Sequence, residues 1–409
     1  VCGAKYPYAL DARTGKELWR HDPKIADEAI PYTAACRGVA YFASAGTQAC
    51  ATRIIEGTLD ARLIAVDART GVPCTDFGDN GYVDTTRGMS KNAPGMVSMT
   101  SLPTIVRGVV VVGHQILDGE RRNALSGVIQ GFDAITGELR WAWDMARPDR
   151  SGMPPEGETY TRGTANMWTI ASGDEQLGLV YLPLGNSAAD YNSRTRSPEE
   201  NRYASSLVAI DVTTGKPACH FQAVHVDVWD YDLGSQATLV DFPAAQGQVP
   251  ALILPSKQGE MYVLDRRTGQ TLTGVEERPA PPGGVEPEQR TPAQPFSLYH
   301  TLRKPDLTER DMWGMSPIDQ MFCRIQFRAA TYDGIYTPPT TDTHWIQYPG
   351  YNGGSDWGGV SLDLQRGVII ANYNDMPNYN RLVPRAEAER LGWFPRDDPR
   401  RPEGGPKVE

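Results

Sequence analysis

The segment HVDVWDYDLGSQ (225–236) carries Asp227, Asp230 and Asp232 two or three positions apart, beside Trp229. Carboxylates so close raise one another's cost of ionisation unless a cation, a metal or a substrate proton offsets the charge. Such a cluster is suited to proton abstraction, to holding a hard cation, or to plain capping of turns by Asp side chains. The six cysteines, Cys2, Cys36, Cys50, Cys74, Cys219 and Cys323, are scattered without a C-x-x-C pair. That argues against a structural zinc site. Disulfides would need an oxidising compartment, with Cys36–Cys50 as the closest plausible loop; the alternative is buried free thiols.

The elements that must carry these residues are legible as repeats. YALDARTGKELW (8–19), IAVDARTGVPCT (64–75), QGFDAITGELRW (130–141), VAIDVTTGKPAC (208–219) and YVLDRRTGQTLT (262–273) share one template. An apolar run ends at Asp, Thr-Gly follows after two variable residues, and a second extended run leaves. This is a hairpin, with Asp bonding the turn backbone and Gly at the φ > 0 corner. VSLDLQRGVIIAN (360–372) is a degenerate sixth copy. The spacing suits four short antiparallel strands and their loops, which is one propeller blade, and a β-sandwich would not explain it. An all-β propeller is therefore expected over 1–394, with about six blades. The Pro-rich stretch 276–297 reads as an excursion, and 395–409 as a tail or a connection to further sequence. The best short helical candidate is EAERLGW, near residue 390.

Composition narrows the class. The 409 residues are 40% hydrophobic and 22% charged, as in a soluble globular protein. A net charge of −10 argues against a nucleic-acid partner. No apolar run approaches the ~18 residues of a membrane span. The opening VCGAKYPYAL has neither an initiator Met nor a signal segment and reads as part of a longer protein.

The D-x-x-T-G hairpins, closed by Trp19 and Trp141 in two copies, resemble those of quinoprotein dehydrogenases, propellers that hold pyrroloquinoline quinone (PQQ). CRGVAYF (36–42), LDARLIAVDARTG (59–71), SGVIQGFDAITGELRWAWD (126–144), RYASSLVAIDVTTGK (202–216), DMWGMSPIDQMFCRIQF (311–327) and VWDYDLGSQ look like the membrane-bound glucose/quinate/shikimate branch. The resemblance covers nearly the whole chain. It implies an eight-bladed propeller preceded by transmembrane helices, neither complete here, on the periplasmic side of the bacterial inner membrane.

The same resemblance assigns roles. Asp230, first Asp of W-D-x-D, is implied as the base that takes the substrate hydroxyl proton, since hydride leaves carbon easily only as that proton departs. Asp227 and Asp232 are expected as turn and cap residues. Lys257, in LPSKQGEMYVLD, is implied to hydrogen-bond the quinone oxygens and offset their growing charge. Mg²⁺ or Ca²⁺ is implied as Lewis acid, with Asp118 and Asn186 as oxygen ligands; Gly119 stands where relatives often have Asn. Trp168 is implied to stack on PQQ, Arg62 and Arg162 to meet its carboxylates, and Trp357 and Asn372 to complete the pocket.

Phe42 stands where glucose-oxidising members carry His, and Gly-Ser follows Leu233 as in quinate-oxidising relatives. The expected reaction therefore leans towards a secondary alcohol of quinate or shikimate, with glucose as the alternative and ubiquinone as acceptor. A propeller with the same hairpins can instead be a non-enzymatic scaffold, which would not need Asp230, Lys257, Trp168 and Asn186 around one axis.

Overall fold

Every D-x-x-T-G copy closes on one turn in the computed structural model, which describes residues 1–91, 93–117, 123–245, 247–395 and 398–401. Asp11 Oδ1 accepts the backbone N–H groups of Arg13 (3.0 Å) and Thr14 (2.8 Å), and Gly15 N–H donates to Asp11 O at 2.8 Å. Asp67, Asp133, Asp211 and Asp265 repeat the pattern. Gly15, Gly71, Gly137, Gly215 and Gly269 all lie at φ 70–73°, the left-handed region that a Cβ disfavours. The degenerate copy keeps the device, with Asp363 capping Gln365 and Arg366 and Gly367 at φ 65°.

Strands leave these turns as expected in four copies. Tyr6–Leu10 pairs with Glu17–Arg20, Ile129–Asp133 with Leu139–Trp143, Ser206–Asp211 with Lys216–Gln222, and Val360–Asp363 with Val368–Ala371. After Asp67 and Asp265 the return is a single bridge, Val66↔Pro73 or Leu264↔Thr271. The outer strand there arrives later, as Tyr82–Asp84 or His300–Thr301. The result is four antiparallel four-stranded sheets and one of three strands among the described residues, the blade pattern of a β-propeller.

The chain divides into two compact units. Among the described residues, the first comprises 1–117, 123–184 and 207–220; the second comprises 185–206 and 221–401. In the first, the motif tryptophans join successive copies. Trp19 Nε1 donates to Ala68 O (3.1 Å), and a Cβ on Gly71 would lie 2.6 Å from the Trp19 ring. Trp141 repeats this against Val212 O (2.7 Å) and Gly215 (2.5 Å). The indole thus occupies the space a side chain on the next turn would need. Cys2–Cys36 and Cys50–Cys74 are the disulfides of this unit. The Cys36–Cys50 loop considered from the sequence is not formed: Cys36 meets Cys2 of the strand Cys2–Gly3 and Cys50 meets Cys74, while Cys219 and Cys323 stand outside both bridges.

In the second unit the Pro-rich stretch is an excursion with its own ladder, Val275–Pro279 against Ala293–Ser297. A helix forms at Arg385–Arg390, near the anticipated position. A longer one, Pro317–Ala329, was not anticipated. Ser316 caps it, accepting from Asp319 N–H, and Pro317 fits its first turn. Among the described residues no helix is long and apolar enough to cross a membrane. Of the 395–409 stretch, 396–397 and 402–409 lie outside the described residues.

Candidate active site

The crowded aspartates are reconciled by one buried ammonium. Lys257 lies just beyond the strand Gly247–Pro255 and is 4% exposed. Its Nζ donates to Asp230 Oδ1 (3.1 Å), Asp230 O (3.0 Å) and Asp232 Oδ2 (3.0 Å). Burial by itself would pull its pKa down, yet Asp230, Asp232 and Asp356 together outweigh that and hold it well above its ordinary value. Burial would likewise push the Asp232 carboxyl up, and the Lys257 charge keeps it lowered instead. The buried Lys257 ammonium is thus shared between the Asp230 and Asp232 side chains.

The loop is held by its aromatic residues. Trp229 and Tyr231 are fully buried: the indole N–H donates to Thr337 O (2.8 Å) and the Tyr231 hydroxyl to Pro349 O (2.7 Å). With these rings anchored in the core, Asp230 and Asp232 turn towards Lys257. Asp230 has φ 58°, a left-handed conformation that Asp tolerates better than most residues but that still carries backbone strain. Asp227 caps its own segment, as expected, accepting from Trp229 N–H (2.9 Å), Tyr231 N–H (2.8 Å) and the Ser205 hydroxyl (2.6 Å). Burial raises its pKa. Asp232 departs from expectation: it accepts the Asn186 backbone N–H, as a cap does, but it also pairs with Lys257.

Asn186 is therefore tied to Asp232 and through it to Lys257 and Asp230. Its Nδ2 donates to Asp190 O (3.2 Å) and Asp227 O (3.1 Å), which fixes the amide, while Oδ1 accepts from Ser187 N–H (2.9 Å) and keeps a second lone pair. An amide oxygen with a spare lone pair is the type of donor that a hard divalent cation takes. Trp357 follows Asp356 and is half-buried, and Asn372 is exposed at the end of Val368–Ala371, beside Gly358.

The remaining predicted residues belong to the first unit. Trp168 is half-buried, and its carbonyl accepts from Thr100 Oγ1 (3.2 Å). Arg62 donates to Asp60 and to Pro23 O (2.7 Å) and lies over the Tyr82 ring. Arg162 Nε donates to Asn123 O (2.7 Å) and its Nη1 to Ser90. Asp118 lies outside the described residues.

Three residues escaped the sequence reading. Arg37 donates to Thr100 O (3.3 Å), on the same residue that bonds the Trp168 carbonyl; it stood in view within CRGV. A Cβ on Gly353, at φ 76°, would come 2.5 Å from Lys257 Cγ, and Gly354 N–H donates to Lys257 O. The G-G pair was a visible turn signal, but nothing local tied it to Lys257. The third, Glu56, is the one carboxyl of the strand Thr52–Gly57, with nothing local to mark it.

Residues 3–405 match the family model "PQQ: Glucose/ethanol/alcohol dehydrogenase, beta-propeller domain". The chain is 57% identical over 402 residues to the glycerol dehydrogenase large subunit of Gluconobacter oxydans (strain 621H), covering 97% of this chain and 54% of that protein. It is 39% identical over 385 residues to the quinoprotein glucose dehydrogenase of Escherichia coli (strain K12), covering 92% and 48%. It is also 39% identical over 387 residues to the quinate/shikimate dehydrogenase (quinone) of Acinetobacter baylyi (strain ATCC 33305 / BD413 / ADP1), covering 89% and 47%. Among solved structures, the quinohemoprotein alcohol dehydrogenase of Comamonas testosteroni shares the fold, with a TM-score of 0.62 at 23% identity over 91% of this chain and 49% of that one. The chain thus spans about half the length of the curated relatives it matches.

Proposed function

The chain belongs to the PQQ-dependent glucose/ethanol/alcohol dehydrogenase β-propeller family, and on that footing we propose that its protein oxidises a secondary alcohol of a small polyol, passing electrons to a quinone. The observation that carries this reading is the Lys257 ammonium 3.1 Å from Asp230 and 3.0 Å from Asp232. When bound, PQQ supplies the two-electron acceptor.

Asp230 takes the hydroxyl proton on its carboxylate, and the Lys257 ammonium 3.1 Å away offsets that carboxylate's charge. Lys257 remains protonated throughout and stabilises negative charge that develops beside it. Buried backbone and aromatic anchors hold both groups in place, so little reorganisation accompanies the charge shift. Asn186 is the proposed oxygen donor for Mg²⁺ or Ca²⁺, which would polarise an acceptor carbonyl, with Asp118 as a further ligand. Trp168 offers the flat face for the cofactor, and Arg37, Arg62 and Arg162 are its candidate cationic neighbours. Trp357 and Asn372 are proposed to edge the pocket. Ubiquinone is the proposed acceptor, and the periplasmic side of the inner membrane the proposed location.

Glycerol is the first substrate to try, given the 57% identity to a glycerol dehydrogenase large subunit. A ring hydroxy acid such as quinate is the second reading. Phe42, a half-buried ring packed on the apolar core, offers a sugar hydroxyl no hydrogen bond. The test is dye-linked oxidation by the full-length protein loaded with PQQ and Mg²⁺ or Ca²⁺, comparing glycerol, quinate, shikimate and glucose. Turnover of at least one, lost in Asp230→Asn with PQQ retained, is the expected result. An Asp230→Asn variant as active as the wild type would remove Asp230 from the mechanism.

A further inference from the structure

One carboxyl in the first unit has no part in the chemistry above. Glu56 lies on the strand Thr52–Gly57, opposite Ile64, and is 3% exposed. Its Oε1 is 3.1 Å from Cys36 Sγ, and its Oε2 has no hydrogen-bond partner. Cys36 is bridged to Cys2, so its sulfur has no proton to give. The contact is a hydrogen bond only if the carboxyl carries the proton and donates it to sulfur. Burial points the same way, pushing Glu56 up to about 8.

The two bridges of the unit differ in access. Cys50 and Cys74 are 7% and 0% exposed, whereas Cys2 and Cys36 are both half-buried. We propose that Cys2–Cys36 is an exchangeable bridge, a reaction site for a dithiol, with Glu56 as proton donor to the departing Cys36 sulfur. The dithiol's thiolate attacks Cys2 Sγ, forming a mixed disulfide as the Cys2–Cys36 bond breaks. Cys36 leaves as thiolate and takes the Glu56 proton. The second thiol of the reagent then attacks the mixed disulfide, closing the oxidised reagent and releasing Cys2, while Glu56 regains its proton from solvent. Two electrons pass from the dithiol to the cysteine pair.

Charged groups on the surrounding segments leave this role to Glu56. Arg37 gives its guanidinium to Thr100 O, and Arg62 is bound to Asp60 and Pro23 O. Opening the bridge would release the residue next to Arg37, which is linked through Thr100 to the Trp168 carbonyl. That consequence for cofactor seating rests on the stacking role proposed for Trp168; the exchange chemistry does not.

The test uses the full-length protein, dithiothreitol, and timed alkylation with peptide mass spectrometry of the four cysteines. Near neutral pH, Cys2 and Cys36 should become alkylated about tenfold faster than Cys50 and Cys74, and Glu56→Gln should slow their release about tenfold. The ratio of wild-type to Glu56→Gln rates at each pH cancels the reagent's own ionisation, and should fall towards one as pH rises through about 8. Equal rates for wild type and Glu56→Gln at neutral pH would overturn the proposal, as would Cys50–Cys74 opening first. None of these rates depends on turnover, so a failed dehydrogenase assay leaves the result readable.

Discussion

Gly353 and Lys257 occupy adjoining space: a Cβ on the glycine would stand 2.5 Å from Cγ of the lysine stem. The absence of a side chain at one residue therefore sets where the ammonium of the other can lie. Gly353→Ala should push the Lys257 stem aside and strain a backbone at φ 76°. Activity should fall at least about tenfold, with a loss of roughly 1–3 kcal/mol in stability measured by denaturant unfolding.

Removing the ammonium should change the response to acid in the carboxylate range. In the wild type the Asp232 carboxyl is held low, so the stability it contributes is present above its unfolded pKa and is lost as pH falls through the folded one. Lys257→Ala leaves Asp230 and Asp232 buried without their cation, at a cost of roughly 3–5 kcal/mol. Their protonation would then be favoured in the folded state, so the Tm gap between the variant and the wild type should narrow as pH falls into the carboxylate range. Parallel pH profiles of Tm would contradict this.

Glu56 should leave its own signature in stability. A buried acid raised to about 8 binds its proton more readily in the folded chain than in the unfolded one, so stability falls as pH rises from its ordinary 4.5 towards 8. Glu56→Gln should remove that slope and stabilise the fold above neutral pH by on the order of a few kcal/mol. Chemical denaturation at several pH values measures it.

The indole joints should be costly to break from either side. Trp141→Ala loses the bond to Val212 O and the cover over Gly215, a loss of roughly 3–5 kcal/mol. Gly215→Ala meets the same ring at 2.5 Å and should destabilise as well. In the double variant the two costs should fall short of additive, because removing the indole makes room for the new methyl.

Much of the fold was legible because its recurring turn is a local object. Asp133 caps N–H groups two and three residues ahead, and Gly137 closes back on Asp133 O. All the atoms that stabilise this turn lie within five residues, so the string D-x-x-T-G suffices to read it. The helix Pro317–Ala329 was equally local, with Ser316 before Pro317 and apolar residues at 318, 321, 322 and 325. The surrounding strand repeats concealed it.

The site was half legible. Asp230 and Lys257 could be singled out by resemblance, but residue types alone could not show that one ammonium 25 and 27 positions away serves both Asp232 and Asp230. The sequence by itself determined the turn chemistry, the hairpin period and the residues available for catalysis, since short-range hydrogen bonds and backbone φ preferences set those. Only the tertiary structure decided which charges share a buried volume, which cysteines meet, and that Glu56 lies against a sulfur. Burial and proximity arise from strands distant in sequence, and a carboxyl's protonation follows the environment those strands build around it.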